Sequence, residues 1–235
     1  MVTAPERLTG IDEWMDRPGV DQSKLTQTLR DLARVNRTFG ATRLVFDYLS
    51  PFFSSLKPPI LILDVGTGYA DIPRAVVQWA RRRGFAIQVD AVDRHGDILA
   101  HAAQACASFP EIRLREANAL LLPYADQSVD VAIASQILHH MEGEQLVHFL
   151  RELRRVARFG VVVSDLRRGV WPLLVTWTTL HLVSTSPLIR HDGPMSIRRG
   201  FLQAELLALA EAAGWKGPQV FRRAFFRLAL TERIA

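Results

Sequence analysis

Leu61–Asp71 reads Leu-Ile-Leu-Asp-Val-Gly-Thr-Gly-Tyr-Ala-Asp, an apolar run that ends in an acid and two glycines. A buried parallel strand reads as a continuous apolar run, and glycines beyond its carboxyl end allow a tight turn and the close approach of a ligand. Open α/β sheets bind nucleotides at such a point. The stretch therefore predicts a strand followed by a nucleotide-binding turn.

The residues around the two glycines narrow the choice of ligand. A dinucleotide-binding fingerprint needs a third glycine where this chain has Asp71, and a phosphate-binding loop needs a Gly-Lys-Ser/Thr sequence that is absent. A carboxylate at Asp64, next to the turn, would repel a pyrophosphate and suits a ligand with a cationic end. An NAD-dependent oxidoreductase is therefore the weaker hypothesis.

Two further segments place polar residues at strand ends. Ala86–Asp93 reads as a second strand that ends in an acid, and in nucleotide-binding α/β units such a carboxylate accepts hydrogen bonds from ribose hydroxyls. Asp93 is therefore predicted to bind the ribose. Further along, Ala117–Asp130 leads into an apolar strand at Val131–Ser135 and then into a Gln-Ile-Leu-His-His segment that ends at His140.

Together these segments resemble the motifs of class I S-adenosylmethionine-dependent methyltransferases. The first segment matches the family's Asp/Glu-x-Gly-x-Gly-x-Gly motif, with Ala70 at the third glycine. The later one is similar to Gly-Asp-Ala-x-x-Leu-Pro-Phe-x-Asp-x-Ser-Phe-Asp, with Asn118 at the adenine-contacting aspartate. The resemblance runs from about Leu56 to Ala213 and implies S-adenosyl-L-methionine as cofactor. The residues that it assigns to the cofactor are Asp64, Gly66, Gly68, Asp93, Arg94, Asn118, Ala119 and Ser135.

Helical patterns alternate with apolar strand segments between residues 60 and 164, which is typical of a parallel, doubly wound sheet. With the resemblance, this predicts an α/β fold with a doubly wound, seven-stranded, mostly parallel sheet of the Rossmann-like methyltransferase type. Gln219–Arg222 and Arg227–Leu230 are expected to form its antiparallel pair. Residues 1–55 are predicted to form an N-terminal helical cap, and residues 56–235 the S-adenosylmethionine-binding domain.

An apolar insertion is predicted at about residues 168–200. Its first part, Val170–Val183, is apolar all round when wound as a helix, yet it has fewer than the ~20 residues needed to span hydrocarbon and contains Pro172. No transmembrane segment is therefore expected. Three roles are open: a lid over the substrate, a homodimer contact or a membrane-surface contact. The lid is favoured because the segment leaves the sheet beside the cofactor.

Two polar-rich segments flank the sheet motifs at Arg34–Gly40 and Arg190–Ser196. In the family that the chain resembles, such flanks build the acceptor pocket. Their glycine and proline residues are equally typical of ordinary loops, so both interpretations stay open.

Composition favours a cytoplasmic, bacterial enzyme. With 235 residues and 49% apolar content, the chain suits one α/β domain with additions. The single cysteine, Cys106, excludes an internal disulfide, and the polar first 19 residues contain no apolar signal-peptide region. The net charge of +5 is scattered over predicted helix faces, so no nucleic-acid partner is expected, and no metal site is expected either.

The implied chemistry is the attack of an acceptor atom on the methyl group of a sulfonium. The predicted acceptor is an apolar small molecule of secondary metabolism, aromatic or quinone-like, that is methylated on oxygen or carbon. If a proton has to leave, His140 is the favoured base and His139 the second candidate, because both follow the fourth strand at the cofactor edge. The alternative is a non-catalytic, cofactor-binding regulatory or scaffold subunit.

Overall fold

The computed structural model describes residues 4–11, 13–14, 22–184 and 186–234. Among these residues, the helices are α1 (Gln22–Thr38), α2 (Ala41–Phe53), α3 (Asp71–Arg83), α4 (Gly96–Ala105), α5 (Glu144–Val156), α6 (Val170–Val183), α7 (Pro187–Arg199) and α8 (Gln203–Ala212). The strands are β1 (Ile60–Val65), β2 (Ile87–Asp93), β3 (Ile112–Glu116), β4 (Val129–Ser135), β5 (Ala157–Leu166), β6 (Gln219–Arg223) and β7 (Arg227–Arg233). A short 3-10 turn at Leu138–His140 follows β4.

The strands form one mixed sheet in the order β3-β2-β1-β4-β5-β7-β6. The pairs from β3 to β5 are parallel, whereas β7 runs antiparallel to both β5 and β6. The predicted seven-stranded, mostly parallel sheet is therefore confirmed. The chain moves outward from β1 in one direction to β2 and β3 and in the other to β4 and β5, so the carboxyl ends of β1 and β4 border a crevice.

Both faces of the sheet are covered by apolar side chains. Leu63 of β1 belongs to a core that includes Phe149 of α5 and Leu206 of α8. Ile62, the preceding residue, belongs to a second core that includes Leu49 of α2. Because successive side chains of a strand point to opposite faces, burial on both sides explains why β1 reads as an unbroken apolar run. Through the second core, α2 packs against one face of the sheet.

The insertion after β5 forms a helical hairpin from α6 and α7. A Cβ added at Gly193 of α7 would lie 2.1 Å from Leu180 Cδ1 of α6, so the glycine permits close packing of the two helices. The polar-rich segment Arg190–Ser196 is thus part of a helix, with Pro194 inside it. Among the described residues, no helix has the length and apolar character needed to cross a bilayer.

The N-terminal residues lie along this hairpin. Leu8 N–H donates to the Arg198 carbonyl at 3.0 Å, and Arg7 Nε donates to the Arg199 carbonyl at 2.8 Å. The Trp14 ring stacks on the His191 ring with centroids 3.8 Å apart. The N-terminal segment and α7 therefore position one another.

Asp130 provides a test of how β1 and β4 are joined. Its carboxylate is buried at the start of β4, and Oδ2 accepts a hydrogen bond from Leu61 N–H at 2.8 Å, just before the ladder between the two strands begins at Ile62. Asp130→Ala leaves that N–H without its acceptor, so we expect the free energy of unfolding to fall by about 1–3 kcal/mol. Asp130→Asn keeps a carbonyl acceptor and should lose less. Chemical denaturation of both variants measures the difference. Equal losses would contradict the role of the Asp130 side chain as the acceptor for Leu61 N–H.

Candidate active site

A cavity of about 930 Å³ opens at the carboxyl ends of β1, β2 and β4. All the residues that the sequence analysis assigned to the site lie in its wall: Asp64, Gly66, Gly68, Asp93, Arg94, Asn118, Ala119, Ser135, His139 and His140. Further parts of the wall come from the N-terminal segment, α1, α6, α7 and the turn before β7. Cavities of this size hold small-molecule ligands and cofactors.

The turn after β1 is shaped by left-handed backbone conformations. Gly66 has a φ of +75°, and a Cβ added there would lie 2.4 Å from Ile137 Cδ1. Gly68 has a φ of +51°, and a Cβ added there would meet no atom of the described structure within 4 Å. Ala70, at the third glycine of the motif, also has a positive φ of +53°. The third position of the motif therefore has a left-handed backbone conformation, which glycine adopts more readily than alanine.

Asp93, at the end of β2, presents an ionised carboxylate to the cavity wall. Its Oδ2 accepts from Gly68 N–H at 2.9 Å, and its Oδ1 accepts from His95 N–H at 3.1 Å. Burial disfavours the charge, but hydrogen bonds from the His95 ring and from these two N–H groups outweigh it and lower the pKa of Asp93. The carboxylate therefore links the glycine turn to β2.

Asp64 is a buried carboxyl in the same wall. Burial, with the neighbouring carboxylates of Asp71 and Asp93, raises the pKa of Asp64 to about 7. A cation bound beside this group would favour its ionised form. A carboxyl with this pKa is close to half-protonated at neutral pH, and a bound cation would shift Asp64 towards its ionised form.

Several cavity-lining residues have buried polar atoms without a hydrogen-bond partner within the described part of the chain. They include Asp71 Oδ2, Ser135 Oγ and Arg227 Nη1. Burial lowers the pKa of Arg227 to about 10, while Asp165 and Asp71 oppose that shift. Buried polar groups are normally paired, so these atoms fit a polar ligand that meets several of them. Asp71 and Arg227 were not assigned by sequence, since an acid and an arginine that begin a helix and a strand carry no specific signal.

Arg94 and Asn118 are exposed in the wall, and Ala119 beside them is half-buried. Arg94 Nε lies 3.1 Å from His95 Nε2. Asn118 Oδ1 already accepts from Leu120 N–H at 2.9 Å, and a carbonyl oxygen has a second lone pair for another donor. The Asn118 side chain can therefore still accept from a ligand amino group.

His139 is held by a buried carboxylate. Its ring is almost fully buried, and Nδ1 lies 2.8 Å from Asp165 Oδ1. Asp165 also accepts from Leu138 N–H at 2.9 Å and from Leu166 N–H at 2.7 Å. Burial disfavours the charge on Asp165, but His139 and the backbone donor outweigh it and lower the pKa of Asp165. An ionised Asp165 accepts a hydrogen bond from Nδ1–H, which leaves the lone pair of the ring on Nε2.

Glu13 approaches that second atom from the N-terminal segment. Its Oε1 lies 3.9 Å from His139 Nε2 and accepts from Ser196 Oγ at 2.7 Å. One nitrogen or oxygen atom from each of Glu13, His139 and His140 lies within 4.8 Å of the others, which is close enough to surround a small cation. Sequence reasoning missed both Glu13 and Asp165, because each meets His139 across a long stretch of chain.

The far side of the cavity is built by the flanking segments. Arg34–Gly40 contributes Val35, Asn36 and Phe39, and Arg190–Ser196 contributes Asp192, Gly193 and Ser196. From α6 come Val175, Thr176, Thr179 and Leu180. Several other apolar residues of α6 are exposed: Trp171 is 67% exposed, and Leu174 and Trp177 are each 51% exposed. One side of α6 thus lines the cavity and the other faces outward.

Comparison with known proteins agrees with this arrangement. Residues 62–160 match a family model described as a methyltransferase domain. A probable S-adenosylmethionine-dependent methyltransferase of Mycobacterium tuberculosis is 30% identical over 133 residues, which are 56% of this chain and 43% of that protein. The chain therefore spans less than half the length of the curated relatives it matches.

Solved structures share the fold. A SAM-dependent methyltransferase from Aquifex aeolicus aligns with a TM-score of 0.61 and 17% identity, over 92% of this chain and 99% of that one. Human N-acetylserotonin methyltransferase in complex with SAM aligns with a TM-score of 0.65 and 15% identity, over 91% of this chain and 56% of that one. At these identities the likeness shows the fold.

Gly66 and Gly84 make a matched pair for testing the turn. Both have a positive φ, +75° and +72°, but only a Cβ at Gly66 would meet Ile137. Gly66→Ala should therefore lower the free energy of unfolding by about 1–3 kcal/mol more than Gly84→Ala, because it adds overpacking to the same backbone strain. Thermal or chemical unfolding compares the two, and equal losses would show that Ile137 moves aside without cost.

Proposed function

We propose that this chain, which belongs to the class I S-adenosylmethionine-dependent methyltransferases, transfers a methyl group from S-adenosyl-L-methionine to an apolar small molecule. The observation that carries the proposal is one continuous cavity, which joins the glycine turn and Asp93 to a pocket bordered by α6 and α7. A cofactor on the first side and an acceptor on the second would share one space. The activity, the substrate class and the partners below are parts of this proposal.

The cofactor half would use the residues at the strand ends. S-Adenosyl-L-methionine, when bound, supplies a methyl group activated by a positive sulfur. Gly66 and Gly68 would let the ligand approach the backbone, and Asp93 would accept from ribose hydroxyls. Asn118 and Ala119 would border the adenine, whereas Asp64 would face the cationic end. Arg94 and Ser135 complete the proposed cofactor set, and the unpartnered Ser135 Oγ supports a polar contact there.

The acceptor half is apolar where α6 and the turn before β7 border it. Leu180 and Ile189 are buried in the hairpin, and Phe225 lines the cavity while making an edge-to-face contact with Phe39 at 5.6 Å. These rings and aliphatic groups support an aromatic or quinone-like acceptor that is methylated on oxygen or carbon. Holding the reacting atoms in line can account for roughly 7–11 kcal/mol of the barrier.

We assign proton removal, where the acceptor is a hydroxyl, to His139 in preference to His140. Asp165 fixes the tautomer and direction of the His139 ring, which is what a general base requires. The His140 ring lies 4.2 Å from the His139 ring and is half-buried in the same wall. The Asp165 contact therefore reverses the order in which the sequence ranked the two residues.

The outer side of α6 supports a further contact. Trp171, Leu174, Trp177 and Leu182 are exposed there on one short helix. The two proposed partners of this exposed side of α6 are a second copy of the chain and a membrane surface.

We propose that the reaction takes place in the cytoplasm, in line with the single free cysteine, Cys106.

Asp64 predicts a pH dependence of cofactor binding. Because its pKa is raised to about 7 in the free protein and a cationic ligand favours the charged form, binding should release a proton below that pH. The affinity should rise by up to about tenfold per pH unit towards pH 7 and level off above it. Calorimetry in buffers of different ionisation enthalpy measures both effects. Asp64→Asn should bind weakly at every pH, and a variant that kept the wild-type slope would assign the proton to another group.

Thr179 and Thr178 are a matched pair for testing the acceptor pocket, because they lie on different sides of α6. Thr179 lines the cavity, whereas Thr178 is exposed and its hydroxyl donates to the Leu174 carbonyl at 2.9 Å. Thr179→Trp should fill the pocket and lower kcat/KM for the acceptor by at least about tenfold, equivalent to about 1.4 kcal/mol, without changing S-adenosylmethionine affinity. Thr178→Trp should leave both unchanged.

The assay for that comparison also tests the function itself. It measures transfer of a labelled methyl group to a panel of phenols, quinones and hydroxylated polyketides. Tight cofactor binding with no transfer across the panel would contradict the enzymatic proposal, and equal effects of the two tryptophan variants would contradict the assigned pocket.

A further inference from the structure

We propose that Glu13 is a positioning residue that stabilises the protonated form of His139 during proton removal from the acceptor. The inference rests on the proposed function. In the step, the acceptor O–H bond breaks and its proton moves to His139 Nε2, while the oxygen forms a bond to the methyl carbon. The carbon–sulfur bond breaks, and its electron pair stays on the sulfur. Glu13 then faces a newly charged imidazolium.

The position of Glu13 supports this role. Its carboxylate is buried, and its Oε1 lies 3.9 Å from Nε2, the ring atom that Asp165 does not engage. A carboxylate at this distance in a buried site favours the charged form of an imidazole. The gap between the two atoms is too long for a direct hydrogen bond. The Nε2 lone pair is therefore not engaged by Glu13 and can accept the proton of an acceptor hydroxyl.

The other groups around the ring are consistent with a proton held at Nε2. Asp165 of β5 contacts Nδ1, and the His140 ring lies 4.2 Å from the His139 ring at an interplanar angle of 37°. From α7, Arg199 Nε donates to the backbone carbonyl of His139 at 2.8 Å, and its Nη1 donates to the carbonyl of Ile11. The cationic Arg199 side chain is thus bound to carbonyl oxygens and lies 3.8 Å from Glu142 Oε1, whereas the two nitrogens of the His139 ring face Asp165 and Glu13.

The chain on both sides of Glu13 is anchored, which fixes the carboxylate in place. On the N-terminal side, Gly10 N–H donates to Glu142 Oε1 at 2.8 Å, and Arg199 binds the Ile11 carbonyl. On the C-terminal side, Trp14 N–H donates to Asp192 Oδ1 at 3.0 Å. The N-terminal segment and α7 together therefore bring the second carboxylate to His139.

Glu13→Gln tests the inference because it removes the charge and keeps the size. Titration of the His139 ring by nitrogen NMR in the full chain should show its pKa lowered by about one pH unit. The rising limb of the kcat–pH profile should shift down by a similar amount, and the plateau kcat should fall at least about tenfold. S-Adenosylmethionine affinity should not change. Glu13→Asp should restore part of the pKa shift.

Glu6→Gln is the matched control, since Glu6 lies in the same segment but is exposed. It should alter neither the His139 titration nor the profile. An unchanged His139 pKa in Glu13→Gln would overturn the inference. Loss of activity in EDTA with recovery in Mn²⁺ would also overturn it, by assigning the Glu13, His139 and His140 cluster to a cation. If the wild-type chain transfers no methyl group, the proposed function fails, while the NMR titration still decides whether Glu13 acts on His139.

Discussion

The parallel pairing of β1 with β4 is the constraint on which the rest of the structure depends. Because the two strands run side by side, the turn after β1 and the segment after β4 leave the sheet at the same edge. Gly66 and Ile137 meet there so closely that a side chain on the glycine would clash. The glycine turn and the His139 region are therefore held at a fixed separation by the sheet, and a ligand between them contacts both.

Electrostatics at this edge follows from burial. Asp64, Asp93 and Asp165 are all shielded from water, yet they differ in pKa because their donors differ. Asp93 and Asp165 have several hydrogen-bond donors, which lower their pKa, whereas burial and two neighbouring carboxylates raise the pKa of Asp64 to about 7. The acid with the raised pKa is then the one whose ionisation a cationic ligand would most alter.

The sequence predicts the parts of this arrangement that depend on local patterns. The strand ends at Asp64 and Asp93 and the seven-stranded sheet follow from apolar runs and a resemblance, and the structure confirms the sheet. It does not predict α7, because Gly193 and Pro194 are typical of loops, whereas here the glycine allows close packing against Leu180. Nor does it predict Glu13 or Asp165, whose roles arise only when distant segments fold against His139.

The two halves of the cavity consequently differ in which substitutions they can accept without disturbing the sheet. The cofactor half is formed by strand ends whose spacing is set by the hydrogen-bonded ladder, so substitutions there disturb the sheet as well as the ligand. The acceptor half is formed by α6, α7 and the N-terminal segment, which contact one another mainly through side chains such as Arg7 and Arg199. Changes in those segments can reshape the pocket while the ladder stays intact, so under the proposed function acceptor specificity would be carried by the hairpin rather than by the sheet.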